Sequence, residues 1–219
     1  MHNIGLDRSG KTTQSTMLFH YMKQQYTDNN TIHIRYPNRN TVIGTMIDQY
    51  LSNKSDTTNI SDRVIHMLFS CNRWESEQYI IDTLNNGTNI ICDRYIYSGI
   101  AYTCAKNINR QSSDIIDPAW CVSVDIGLPL PDITIFIDID STTASQRGEY
   151  GNERYESIEF QQLVRNEFMK LKSDNWYIID GAGEKHDIFQ QILHVVEPQI
   201  ISYQTQPIQK FTGINTVAL

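Results

Sequence analysis

Apolar residues gather into short β-type runs at Thr31–Tyr36, Thr88–Cys92, Ile133–Ile139 and Trp176–Ile179, each separated from the next by a stretch long enough for a helix. Strands alternating with helices predict an α/β chain whose parallel central sheet is covered on both faces, a three-layer arrangement. Ligands in such folds bind beyond the carboxyl ends of the strands. Those positions hold Pro37–Arg39, Asp93–Tyr95, Asp140 and Asp180–Gly181, so the chemistry is expected there. Helical spacing marks two further stretches. Met17, Leu18, Tyr21 and Met22 give residues 12–26 one apolar face, and Ile60–Leu84 reads as one long helix through Val64, Ile65, Leu68, Phe69, Tyr79, Ile80 and Leu84. With no Pro/Gly/Ser-rich linker, the pattern predicts one domain over 1–197. The mixture of Pro, Gln, Thr and Ser that follows predicts a loosely attached tail over 198–219.

Ahead of the first predicted helix, Gly5-Leu6-Asp7-Arg8-Ser9-Gly10-Lys11-Thr12 fills every fixed position of the G-x-x-x-x-G-K-[ST] phosphate loop. Its glycines let backbone N–H groups curl around phosphate oxygens, Lys11 supplies a point charge, and the Thr12 hydroxyl can ligate Mg²⁺. A nucleoside triphosphate site is therefore expected. Only Met1–Ile4 precedes the loop. So few residues make at most a short strand, which means a stunted first strand or a start lying upstream, with stability affected more than chemistry.

Composition narrows the partners. Lys plus Arg is 18 against 25 Asp plus Glu, a formal charge of −7, which argues against a general nucleic-acid footprint. Cys71, Cys92, Cys104 and Cys121 show no C-x-x-C and no histidine at metal-ligand spacing, so reduced thiols in a cytosolic compartment are expected. There is no apolar leader and no run approaching a membrane span. The expected protein is soluble, free of membrane, and cytoplasmic (in the host cytoplasm if its source is viral).

Asp93-Arg94-Tyr95 follows the buried run Asn89–Cys92, where a second carboxylate would face the phosphate loop across the strand ends. Asp93 can hold Mg²⁺ through water there, and Arg94 can neutralise phosphate charge. At this point several blocks fall in a recognisable order: Asp7–Gln14, Arg35-Tyr-Pro-Asn-Arg39, Leu68–Glu75, Asp93–Gly99, Gly127–Asp132 and Glu153-Arg-Tyr-Glu156. From Gly5 to about Glu197 the chain resembles thymidylate kinases of the eukaryotic and poxviral type.

That resemblance implies a P-loop nucleoside monophosphate kinase fold, transfer of the γ-phosphoryl of ATP to dTMP with Mg²⁺, and a homodimer. Both reactants are anionic, so the family's site sets cations around the transferring group. By the resemblance Gly5, Leu6, Asp7, Arg8, Ser9, Gly10, Lys11, Thr12, Thr13 and Arg147 bind ATP, and Thr12 and Asp93 face the metal. Asp7, Arg8, Lys11, Asp93 and Arg94 carry the catalysis, with Arg8 as the transition-state arginine supplied from inside the loop. Arg39 would hold the acceptor phosphate and Asp7 the sugar 3′-hydroxyl. Tyr36 and Phe69 would flank thymine, Arg73 would read its O4, and Tyr102, Ser98, Gly99 and Tyr155 would complete the dTMP pocket with Arg94. Arg73 lies one helical turn beyond Phe69, on the same face. Tyr36, where the family has Phe, adds a hydroxyl that needs a partner. Residues 143–156 resemble the lid, its glycines permitting closure and Glu149 and Glu153 giving it mixed charge, and Asp180–Gly183 resembles the adenine-side loop.

The chain departs from the family at Ile4, which stands where an acidic residue is usual. A catalytically impaired nucleotide-binding relative, a kinase of another deoxynucleoside monophosphate, and a P-loop hydrolase are the alternatives.

Overall fold

The computed structural model describes residues 1–26, 30–52, 60–109, 115–147, 153–203 and 206–214. Among them the β-branched and aromatic runs form β2 (Thr31–Arg35), β3 (Asn89–Asp93), β4 (Thr134–Asp138) and β5 (Trp176–Asp180), and His2–Gly5 forms β1 ahead of the phosphate loop. All pairings are parallel, in the order β2-β3-β1-β4-β5, so β1 lies at the centre and carries the phosphate loop out between β3 and β4. The helices are α1 (Lys11–Gln25), α2 (Val42–Leu51), α3 (Asp62–Trp74), α4 (Glu77–Asn85), α5 (Ile96–Ala105), α6 (Pro118–Ser123), α7 (Ser141–Ser145), α8 (Ile158–Lys170) and α9 (Lys185–Tyr203).

Strand periodicity explains the three layers. In β4, Phe136 packs with Ile96, Ile100 and Phe168 on one face, whereas Ile135 and Ile137 pack with Leu18, Ile188 and Ile192 on the other. A third cluster, Ile47, Tyr50, Leu51 and Ile65, joins α2 to α3 and walls the site described below. None of the helices among the described residues is long and apolar enough to cross a membrane.

Three expectations meet a different structure. The single helix read over 60–84 is two, broken at Glu75–Ser76. Ser76 Oγ reaches back to the Arg73 carbonyl at 3.3 Å and pairs with the Tyr36 hydroxyl at 2.6 Å, a local competition with helix continuation. Both helices keep an apolar face, so the period runs across the break. The tail is not loose along its length: α9 continues to Tyr203, and Phe211, almost fully buried, exchanges backbone bonds with Gly127 (2.9 Å) and Leu128 (2.8 Å). The first strand is less stunted than its position suggested. It has 4 residues against 5 in each of the others, all of them buried; all four pair with β4, and His2 and Asn3 pair with β3 as well. Its weakness is composition, because His2 and Asn3 are fully buried with no hydrogen-bond partner on either side chain.

Candidate active site

Beyond Gly5 the chain turns away from the sheet and enters α1 through Gly10, whose φ of 97° only glycine adopts without strain. No side chain caps α1, so its first N–H groups stay turned toward the loop's concavity. The Lys11 ammonium lies buried beneath that concavity, donating to the Leu6 carbonyl and to Ser9 Oγ at 3.3 Å. Burial, then the positive charge of Arg94, lowers its pKa to about 7. Asp7 and Asp93 attract it without outweighing these effects, and among the described residues it makes no direct ion pair with an anionic partner. A phosphate at the loop would supply one.

Asp93, at the carboxyl end of β3, accepts from Thr12 Oγ1 at 2.6 Å through Oδ2. Its Oδ1 is buried without a partner. A hydroxyl beside a half-satisfied carboxylate suits a hard divalent cation that keeps most of its ligands as water and phosphate oxygen, so the residues present fit Mg²⁺.

Arg8 and Arg94 are the two non-glycine residues with positive φ among the described residues, 61° and 64°. Strain of this kind persists where the surroundings over-determine it. Arg94 donates to Asp7, and its guanidinium lies 5.5 Å from the centre of the Tyr102 ring. Asp7 also accepts from Tyr102 Oη at 2.9 Å and Gln161 Nε2 at 2.8 Å. Burial alone would raise this carboxyl, but Arg94, Lys11 and these two hydrogen bonds outweigh it and hold the pKa below the usual carboxylate value. Arg8 pairs with Glu156 at 3.0 Å.

Two cavities meet at Asp7, Arg35, Arg94 and Glu153. One, of about 510 Å³, is bounded by residues 7–14, Arg147 and Gly183. Arg147 reaches across it to the Arg8 carbonyl (3.2 Å) and the Gly181 carbonyl (2.7 Å). Of the residues expected at ATP, Gly5 and Leu6 do not border this cavity; both are buried, and Leu6 contributes its carbonyl to Lys11. The other cavity is a slot of about 100 Å³ bounded by every residue expected at dTMP, from Asp7, Tyr36 and Arg39 through Arg73 to Tyr155. The Tyr36 hydroxyl has its partner in Ser76. Tyr155 is pinned by Lys106 Nζ (2.7 Å) and Tyr50 Oη (3.0 Å), and burial first pushes its hydroxyl pKa up. Of the lid expected over 143–156, positions 148–152, Glu149 included, lie outside the described residues.

The family model described as thymidylate kinase matches residues 5–192. The chain belongs to the thymidylate kinase family. It is 41% identical over 207 residues to the thymidylate kinase of Dictyostelium discoideum, covering 94% of this chain and 88% of that protein. It is 40% identical over 198 residues to that of Schizosaccharomyces pombe, covering 88% of each. The solved thymidylate kinase structure from Candida albicans superposes with a TM-score of 0.83 at 37% identity over 96% of both chains. The fold is accordingly the P-loop nucleoside monophosphate kinase fold.

Several residues of this thymidylate kinase site carried no signal of their own in the sequence. Gln161 on α8 clamps Asp7 twice, accepting from its backbone N–H and donating to its carboxylate, each at 2.8 Å. Asn72 holds the loop bearing Arg39 through the Asn38 N–H (2.7 Å) and carbonyl (3.2 Å). Asp48 and Asp125 neutralise Arg39 and Arg73. Gln, Asn and Asp at unremarkable spacings point nowhere until the partner is known.

Proposed function

We infer that the chain transfers the γ-phosphoryl of ATP to the 5′-phosphate of dTMP, giving ADP and dTDP for dTTP synthesis. The observation that carries this reading is the meeting of a phosphate-loop cavity and an aromatic, arginine-edged slot at a shared wall that holds the Asp7–Arg94 pair with Arg35 and Glu153. A hydrolase has no use for a second nucleotide slot.

The steps follow from charge. ATP enters with its phosphates over Lys11 and the N-terminus of α1, and dTMP enters the slot with its base between Tyr36 and Phe69. Arg39 takes the acceptor phosphate, and Arg94 stands between donor and acceptor. Asp7, held ionised, accepts from the sugar 3′-hydroxyl. Tyr102 fills the space beneath the sugar 2′ position and so excludes a ribose hydroxyl. The terminal phosphoryl group then passes in line to the acceptor oxygen while Lys11, Arg8 and Arg94 stabilise the equatorial charge. Thr12 and, through water, Asp93 would hold Mg²⁺, which would supply neutralisation of the charge developing on the leaving group. Arg147, beside the Gly181 carbonyl, borders the adenine side. A homodimer and a cytoplasmic location accompany the family reading, with the four free cysteines suited to a reducing compartment.

The experiment is a coupled ADP-release assay with ATP and Mg²⁺ and each monophosphate in turn. Activity with dTMP and dUMP and a kcat/KM for dCMP lower by roughly 10²-fold or more is expected, since a slot that hydrogen-bonds one base edge rejects its complement. Comparable efficiency with dCMP overturns the role of Arg73; release of ADP without any monophosphate overturns the kinase reading.

A further inference from the structure

The base-reading Arg73 of the dTMP slot is paired with a carboxylate, Asp125, to which none of the steps above gives a role. The side chains of Arg73 and Asp125 are 2% and 0% exposed. Arg73 donates through Nε to Asp125 Oδ1 at 3.1 Å and through Nη2 to Oδ2 at 2.6 Å, a two-pronged fork that fixes the plane of the guanidinium. Ser70, one turn earlier on α3, donates to the same Oδ1 at 2.7 Å and to the Val124 carbonyl at 3.0 Å, so the carboxylate is itself held. On the opposite wall α5 makes room: a Cβ at Gly99 would stand 2.9 Å from Nη2 and 3.1 Å from Nη1. Nη1 is the nitrogen left outside the fork, on a side chain that borders the slot.

An ion pair buried this deeply is a weak source of stability, because the cost of desolvating both charges offsets most of their attraction. Its geometric consequence is larger. An unrestrained arginine could turn other nitrogens, or its apolar stem, toward the base, whereas the fork leaves a single donor edge in one place. A pyrimidine with a keto oxygen at that edge gains a charge-assisted hydrogen bond. One with an amino group sets donor against donor.

We propose that Asp125 is a positioning residue for substrate choice, acting through Arg73 to hold Nη1 where a keto pyrimidine accepts and an amino pyrimidine is refused. The proposal rests on the reading of the slot as the dTMP site. It predicts that loss of the Asp125 charge blurs discrimination between bases without disturbing the ATP side. It also predicts that the effect vanishes once Arg73 is gone.

The test is a kinetic double-mutant cycle on the full chain: wild type, Asp125→Asn, Arg73→Gln and the double variant, each with dTMP and dCMP. Asp125→Asn should raise KM for dTMP and shrink the dTMP-over-dCMP preference by about tenfold, leaving KM for ATP near wild type, and should add no further loss of preference in the Arg73→Gln background. Ser70→Ala, which keeps both charges, should shrink the preference by a smaller factor, again only while Arg73 is present; it carries the test if Asp125→Asn fails to fold. A preference unchanged in a folded Asp125→Asn or in Ser70→Ala overturns the proposal, as does an effect that persists undiminished without Arg73. The functional reading fails separately: wild type inactive on dTMP removes the kinase assignment, and an Arg73→Gln enzyme of normal preference removes Arg73 as the base reader.

Discussion

Arg39 donates through Nη2 to Glu153 at 2.6 Å and through Nη1 to Asp48 at 2.6 Å. The guanidinium expected to receive the acceptor phosphate is thus covered by two carboxylates, one of them from the segment that also sends Glu156 to Arg8. Arg8, Arg39 and Arg94 each have an internal anion, and a phosphate arriving at Arg39 must displace its two. Glu153→Gln removes one competitor, so KM for dTMP should fall by a few-fold, in keeping with the modest worth of a partly exposed ion pair. Steady-state kinetics measure it. A KM that rises instead would mean that Glu153 assists binding.

Arg8 tests the chemical step. With its φ of 61°, glycine suits the backbone there while removing the charge. Arg8→Gly and Arg8→Ala should both lose turnover by orders of magnitude, roughly 3 kcal/mol or more, with little change in the affinity for ATP or dTMP. Arg8→Gly should also melt no lower than Arg8→Ala. Near-normal turnover in either variant would return the role to the lid, to Arg147 at the phosphate cavity or to Arg154, which here donates to the Tyr50 carbonyl at 3.1 Å.

Lys11 gives a pH dependence with a definite sign. Burial and the charge of Arg94 lower its pKa to about 7, and a triphosphate at the loop raises that pKa by supplying negative charge. Binding therefore takes up a proton, and ATP affinity should weaken above pH 7 by up to about tenfold per unit until the bound-state pKa is reached. Calorimetry in buffers of different ionisation enthalpy reads the uptake. No net uptake between pH 7 and pH 8 would show that Lys11 is already charged in the free protein.

The sheet was legible because β-branched runs bounded by turn residues mark buried strands, and the site because phosphate chemistry demands glycines, a lysine and a hydroxyl at fixed spacing. What stayed hidden lies in pairs remote in sequence. Asp125 stands 52 positions from Arg73, and Gln161 stands 154 from Asp7. No local periodicity links such partners; the fold brings them together. The break at Ser76 escaped for another reason, since the hydroxyl that competes for the local Arg73 carbonyl is also held by Tyr36, remote in sequence. Phe211 docks with only Ile214 beside it amid polar neighbours, too little apolar surface to register as an element.

The central strand carries the last prediction. His2 is fully buried, its ring stacked 6.0 Å from that of Tyr97, and neither nitrogen has a partner. Burial first, then the positive charges of the Met1 amine, Arg73 and Arg94, hold its pKa well below 6.5. The folded protein keeps this imidazole neutral while the unfolded chain protonates it, so the unfolded state binds more protons and stability is lost as the pH falls below 6.5. His66 and His33, whose pKa values are also lowered mainly by burial, add to the same slope. His2→Phe keeps the ring and its stacking while removing the unsatisfied nitrogens, each worth about 1–3 kcal/mol when buried unpaired. It should raise the melting temperature at pH 7 and reduce, without abolishing, the fall in stability between pH 6.5 and pH 5. Thermal melts across that range compare the two proteins. Equal melting temperatures and equal slopes would show that the His2 nitrogens are satisfied in solution, by water entering the cavity of about 390 Å³ that the ring borders between Met22, Ile34 and Ile133.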